Sequence, residues 1–231
     1  MRGRFVVIEG VDGAGKTTQL KALAAWLEAR GRAVLPLREP GGTAIGEEIR
    51  RILLDRTHAA MTTETELCLY CAARAQIVRE VIAPALAAGR DVLCDRFTLS
   101  TLVYQSRLGG LPLKTVQALC DFAMGATRPD LCLLLDLPVA ESLARRTARD
   151  RGHGGADRME RKLRHALEAL RAGYRSLAKK AGYPCRRIDA TGTPETVQAR
   201  LQAALAPLFD ARSSQRQARR PRRAAARRTS P

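Results

Sequence analysis

The chain has 231 residues, enough for one α/β domain with a sizeable core, and its 45% hydrophobic content is ordinary for a globular protein. No apolar run approaches the ~20 residues of a membrane span, and the stretch after the basic start Met1–Arg4 is broken by Glu9 after four residues, too soon for a secretory signal. A cytoplasmic protein is expected. Of the net charge of +17, eight arginines with no acid lie beyond Asp210, so residues 1–210 still carry +9 and suit an anionic ligand.

Arg4–Glu9 reads as a buried strand. It runs directly into Gly10-Val11-Asp12-Gly13-Ala14-Gly15-Lys16-Thr17, which fits G-x-x-x-x-G-K-[ST] and opens a helix over Lys16–Arg30 closed by Gly31. Ala33–Arg38 is a second strand, ending in Arg38-Glu39-Pro40-Gly41-Gly42-Thr43. Thr63 and Glu66 read as a capping box for a long helix with an apolar stripe of Leu67, Tyr70, Cys71, Ile77, Val78, Val81 and Ile82. Arg74 lies on that stripe, so it must either meet a buried acid or open onto a cavity. Asp91–Asp95 is a third strand, closed by Asp95-Arg96-Phe97, and Leu131–Asp136 a fourth. Residues 145–158 are rich in arginine and broken by glycines, as a flap closing over phosphates would be. Cys185–Asp189 is a short fifth strand.

Apolar strands alternating with helices predict an α/β fold: a three-layer α/β/α P-loop NTPase domain over residues 1–210 with a five-stranded parallel sheet. Residues 211–231 are low in complexity and read as a disordered Arg-rich tail, with weak polyanion contact as its functional alternative. The six cysteines, mostly in apolar segments, read as reduced thiols; the Cys68/Cys71 pair has no second pair to complete a metal site.

The P-loop supplies the chemistry. Glycines let backbone N–H groups approach phosphate oxygens, and the helix N-terminus adds its dipole. Lys16 would reach the β- and γ-phosphates of a nucleoside triphosphate, and Thr17 would offer its hydroxyl to Mg²⁺. Ligands in open α/β sheets sit at the carboxyl ends of the strands. Asp95 is thus placed to act on Mg²⁺ opposite Thr17, and Arg96 to neutralise phosphate; Arg38 again stands at a carboxyl end. No Asn-Lys-x-Asp motif for guanine is present, which favours a small-metabolite kinase over a GTPase.

Gly10–Thr17, Arg38–Thr43, Tyr70–Gln76, Asp95–Gln105, Arg128-Pro129-Asp130-Leu131 and Asp157–Glu160, in this order and spacing, resemble the bacterial thymidylate kinases, P-loop nucleoside monophosphate kinases. The resemblance implies transfer of the ATP γ-phosphate to dTMP, Mg²⁺ as cofactor and a homodimer. ATP would lie along Gly10, Val11, Asp12, Gly13, Ala14, Gly15, Lys16, Thr17 and Thr18, with Arg146 beside it. Asp12 would sit near the sugar and phosphates of dTMP, and Arg38 and Arg96 would bind the dTMP phosphate. Tyr70 would stack on thymine and Arg74 bond its edge. Thr101 would lie near the base, Tyr104 crowd the 2′ position and Gln105 help hold the nucleotide. Lys16, Asp12 and Arg96 would join Arg149 and Arg151 in catalysis. Gly13 and Ala14 leave the P-loop without an arginine of its own, as in members whose flap supplies one. The chain departs from the family at Ser106 and around Ala166, Leu167 and Ala169, and its basic tail is an addition. Two other readings are another nucleoside monophosphate kinase and an ATPase that binds nucleic acid through the tail.

Overall fold

The structure, a computed structural model, describes residues 2–150, 158–159 and 166–218, apart from the side chains of 148–150 and 210–218. Five parallel strands form one sheet in the order β2-β3-β1-β4-β5. They are β1 Phe5–Gly10, β2 Val34–Arg38, β3 Asp91–Asp95, β4 Leu131–Asp136 and β5 Cys185–Asp189. The helices are α1 Lys16–Glu28, α2 Ala44–Leu54, α3 Thr63–Ile77, α4 Ala83–Ala87, α5 Thr98–Thr101, α6 Leu113–Met124, α7 Val139–Asp150, α8 Leu167–Leu177 and α9 Pro194–Ala218.

The three inner strands are continuous apolar runs because both faces of the sheet are covered. Phe5, Val6, Val7 and Ile8 of β1 and Val92, Leu93 and Cys94 of β3 are fully buried. Right-handed crossovers put α1 on one face with α9, against which it packs. The remaining connections cross the sheet the other way, which sets α4, α5 and α8 on the opposite face against β3, β1 and β4. The result is the expected α/β/α sandwich.

Two carboxylates, Asp91 buried and Asp130 partly exposed, pin the start of the central strand. Asp130 accepts from the Phe5 backbone N–H at 2.7 Å and pairs with Arg2 and Arg4, and Asp91 accepts from the Arg4 N–H at 2.8 Å. The Phe97 ring meets Phe5 edge-on at 5.1 Å, tying the segment after β3 to β1.

Three elements differ from expectation. The cap of α3 is Thr62, one residue early: its extended backbone lets the hydroxyl accept from the Thr65 N–H at 3.2 Å, while Glu66 is buried in an ion pair with Arg158 and is not part of a box. The expected flap begins later than position 145, because Arg145–Asp150 are the end of α7. The last helix runs to Ala218, eight residues into the expected tail, since Ala, Arg and Gln extend a nucleated helix readily. Residues 219–231 lie outside the described residues. All six cysteines are free thiols, and only Cys68 is exposed.

Phe5→Ala should lower stability by about 3–5 kcal/mol in urea unfolding, because it opens a cavity where β1 meets Phe97. A loss under about 1 kcal/mol would mean that this contact is not part of the core.

Candidate active site

The carboxyl ends of β1, β2 and β3 open into one cavity of about 630 Å³, walled by the P-loop on one side and by α3 and α5 on the other. The loop follows from its glycines. Gly10, Gly13 and Gly15 have φ of 142°, 82° and 88°, a region open to glycine at no steric cost. A Cβ on Gly10 would lie 2.5 Å from the Leu135 carbonyl, and one on Gly13 would lie 2.8 Å from that of Ser142. The backbone can therefore pass close to β4 and α7 only without side chains there. Gly15 caps α1, and Lys16 and Thr17 open it.

Lys16 is buried, with its Nζ donating to the carbonyls of Gly10 at 3.1 Å and Val11 at 3.0 Å. It also lies 3.7 Å from Asp12. Burial and then the Arg96 guanidinium pull the Lys16 ammonium down, against Asp12 and Asp95. Thr17 Oγ1 donates to Asp95 Oδ2 at 2.8 Å, so two hard oxygens stand side by side at the cavity mouth. Such a pair could hold a hard divalent cation whose other ligands are phosphate oxygens and water. Among the described residues no group of three or more His, Cys, Asp or Glu forms a metal cage.

Arg96 sits at the centre. Its guanidinium pairs with Asp12, donates to the Tyr174 hydroxyl at 2.8 Å and to Ser100 Oγ at 3.1 Å, and lies 5.5 Å from the Tyr104 ring centroid. Burial pushes the Asp12 carboxyl up, but Arg96, Lys16 and Arg146 overcome it and hold the group well below the usual carboxylate range. Arg38 also lines the cavity, half-exposed, with Nη2 on both carboxylate oxygens of Glu47 at 3.1 and 2.9 Å.

The opposite wall carries Tyr70 and Arg74 from α3, Thr101 from α5, and Tyr104 and Gln105 from the π-helical turn that follows it. Arg74 resolves the choice that its sequence position left open, because both readings hold. It is 2% exposed and bonds Glu39 through Nε at 2.8 Å, yet it borders the cavity. Burial pushes the Glu39 carboxyl up to about 7, against the pull of Arg74. Gln105 is buried and donates to Glu66 at 3.2 Å. The Tyr104 ring stands edge-on to Tyr174 at 6.3 Å, and its buried hydroxyl has no hydrogen-bond partner among the described residues.

The arginines of the expected flap separate. Arg146 is buried against the P-loop, with its Cγ 3.2 Å from where a Gly13 Cβ would be, and does not border the cavity. Arg145, which sequence reasoning passed over, does border it and donates to the carbonyls of Ala190 and Gly192. The side chain of Arg149 and all of Arg151 lie outside the described residues, as do Asp157 and Glu160. Arg158 is buried on Glu66 at 2.8 Å and on the Leu53 carbonyl, which brings Met159 to the cavity wall. Glu39, a buried acid lining the cavity, and Glu9, a buried acid behind it, were also missed. Each is an ordinary acid after an apolar run, and no local pattern marks its partner.

The family model described as Thymidylate kinase matches residues 8–201. The thymidylate kinase of Pseudomonas savastanoi pv. phaseolicola is 45% identical over 212 residues, which covers 92% of this chain and 99% of that protein. That of Geobacter sulfurreducens is 51% identical over 178 residues, covering 76% of this chain and 84% of the relative. The crystal structure of thymidylate kinase from Ehrlichia chaffeensis superposes with a TM-score of 0.67 at 27% identity, covering 89% of this chain and 99% of that one. The matched span contains the P-loop, the arginines closing β2 and β3 and both cavity walls, and on this evidence the chain belongs to the thymidylate kinase family.

Proposed function

We propose that this protein transfers the γ-phosphate of ATP to dTMP, giving dTDP and ADP. The observation that carries the reading is that one cavity joins the P-loop to Arg96 and to a wall of Tyr70, Arg74 and Tyr104. A phosphate donor and a base-bearing acceptor then share one space with cations between them. In the transfer an oxygen of the dTMP phosphate bonds to the γ-phosphorus as the bond to the ADP oxygen breaks. The enzyme's work is positioning and charge neutralisation.

On this reading the backbone amides of Gly10–Thr18 and the Lys16 ammonium hold the ATP phosphates. Arg38 and Arg96 hold the dTMP phosphate, and Asp12 keeps Arg96 aimed between the two. Mg²⁺ fits Thr17 and Asp95 by their hard oxygens, and when bound it supplies charge compensation to the phosphates. Tyr70 stacks on thymine, Arg74 bonds its edge, and Thr101 and Gln105 close around the base and sugar. Arg149 and Arg151 are proposed to serve the γ-phosphate. Among the described residues no helix is long and apolar enough to cross a membrane, in keeping with a cytoplasmic enzyme. Phe122 on α6, 76% exposed, suits coverage by a second copy in a homodimer. The Arg-rich C-terminus suits weak, salt-sensitive contact with polyanions.

A coupled ADP-release assay across dTMP, dUMP, UMP, CMP, AMP and GMP tests the substrate; strong turnover on another nucleotide with none on dTMP would overturn it. In the same assay Lys16→Ala should lower kcat by about 100-fold or more, and wild-type turnover would remove Lys16 from the phosphate site. Tyr104 cannot swing aside, being held by Tyr174 and Arg96, so Tyr104→Ala should relax the preference for deoxyribose over ribose. An unchanged preference would refute that role.

The two roles of Arg74 separate experimentally. Glu39→Gln leaves a buried, uncompensated guanidinium and should lower stability by about 3–5 kcal/mol. Adding Arg74→Met should restore much of that stability while the KM for dTMP stays high. Recovery of the KM as well would make Arg74 purely structural.

A further inference from the structure

We infer that Glu9 is a positioning residue for Arg96, acting from behind the cavity through Ser100 and Tyr174. The inference rests on the proposed role of Arg96 at the acceptor phosphate. Glu9 is fully buried in the central strand and does not border the cavity. Its carboxylate accepts three hydrogen bonds, all from the segment just after Arg96: from the Phe97 N–H at 2.8 Å, the Ser100 N–H at 3.1 Å and the Ser100 hydroxyl at 2.6 Å. Three donors converging on one carboxylate are what a buried charge needs.

The backbone there requires holding. Arg96 has φ of 72°, the positive value of a non-glycine residue among the described residues. A bulky residue keeps such a conformation only where its surroundings impose it. β1 imposes it twice, because the Ile8 carbonyl takes the Arg96 N–H at 2.9 Å and the next residue, Glu9, takes the Phe97 N–H. α5 begins at Thr98 with no side-chain cap of its own. Glu9 caps it from a different strand.

The side chains form a chain of bonds whose direction is set by chemistry. A guanidinium only donates, so the Tyr174 oxygen accepts from Arg96 at 2.8 Å. The Ser100 proton goes to Glu9, so the 2.8 Å bond between Ser100 and Tyr174 carries the tyrosine proton to Ser100. The order is Arg96 to Tyr174 to Ser100 to Glu9, with a second, direct bond from Arg96 to Ser100 at 3.1 Å, and both routes need an acceptor-only group at their end. A neutral amide in place of Glu9 can end that chain only by presenting its oxygen to Ser100, which turns its NH₂ toward the Phe97 and Ser100 N–H groups. One set of bonds is lost either way, and the Arg96 guanidinium is left oriented by Asp12 on one side only.

Steady-state kinetics on wild type, Glu9→Gln, Tyr174→Phe and Arg96→Ala, with thermal midpoints for each, test this. Glu9→Gln and Tyr174→Phe should each raise the KM for dTMP by about tenfold or more and leave the KM for ATP within about twofold, because a small misalignment of a positioned group is expensive. Tyr174→Phe removes one hydroxyl and keeps the ring, so it remains a test if Glu9→Gln does not fold. A wild-type KM for dTMP in either folded variant, or equal rises in both KM values, overturns the proposal. A lower thermal midpoint with unaltered kinetics overturns it too, making the network purely structural. If Arg96→Ala itself leaves the KM for dTMP unchanged, the reading of Arg96 falls and this inference falls with it. If Arg96→Ala raises that KM and the other two variants do not, only the positioning role falls.

Discussion

The ion pair between Asp12 and Arg96 spans the gap between the P-loop and the end of β3, and the rest of the site is arranged around it. A sheet end dense in cations has to be neutralised or it repels itself apart. Asp12 does this for Arg96, Lys16 and Arg146 together, which is why its carboxyl stays ionised in spite of burial. The same residue's carbonyl takes the Ser142 hydroxyl at 2.6 Å, so the loop that holds phosphate is also the seat of α7. On the proposed reading, a phosphate arriving between Lys16 and Arg96 would meet a surface already balanced, with donors oriented before it binds.

Gly13 shows how packing restricts where arginines can stand. With the Ser142 carbonyl and the Arg146 stem against it, this position has no room for any side chain, so the P-loop cannot carry an arginine there. Arg146 fills that space and lends its charge to Asp12 from behind. On the proposed reading, an arginine serving a transferring phosphate then has to come from elsewhere, and among the described residues Arg145 borders the cavity. The absence of a side chain at Gly13 and the burial of Arg146 beneath the loop are two sides of one packing constraint.

The P-loop, the five strands and the arginines at strand ends were legible in the sequence because each is a local pattern: a contiguous motif, or a residue at the end of an apolar run. The strands match to within about a residue. What escaped was whatever depends on a distant partner. The Thr63/Glu66 pattern looks like a capping box, but Glu66 is bonded to Arg158, 92 positions away, and the cap is Thr62. Arg145 and Arg146 are neighbours in one basic run, and the helical turn between them decides that one borders the cavity and the other packs beneath the loop. The length of α9 escaped because composition alone does not register that a helix nucleated at Pro194 is cheap to extend.

Arg74 carries this argument furthest. An arginine on an apolar stripe is a conflict between patterning and charge, and such conflicts tend to mark function. The conflict was visible in the sequence, but its resolution was not, because Glu39 lies 35 positions away across the turn after β2. Burying Arg74 with Glu39 removes the guanidinium's freedom, and the Phe97 ring 5.1 Å away removes more. A group so fixed is a poor contributor to stability, since an apolar pair of the same size would serve as well or better. It suits the recognition role proposed for it, since a guanidinium held by Glu39 and bordering the cavity has its orientation settled in advance. On the proposed reading, the ion pair is better explained by what it presents to the cavity than by what it adds to the fold.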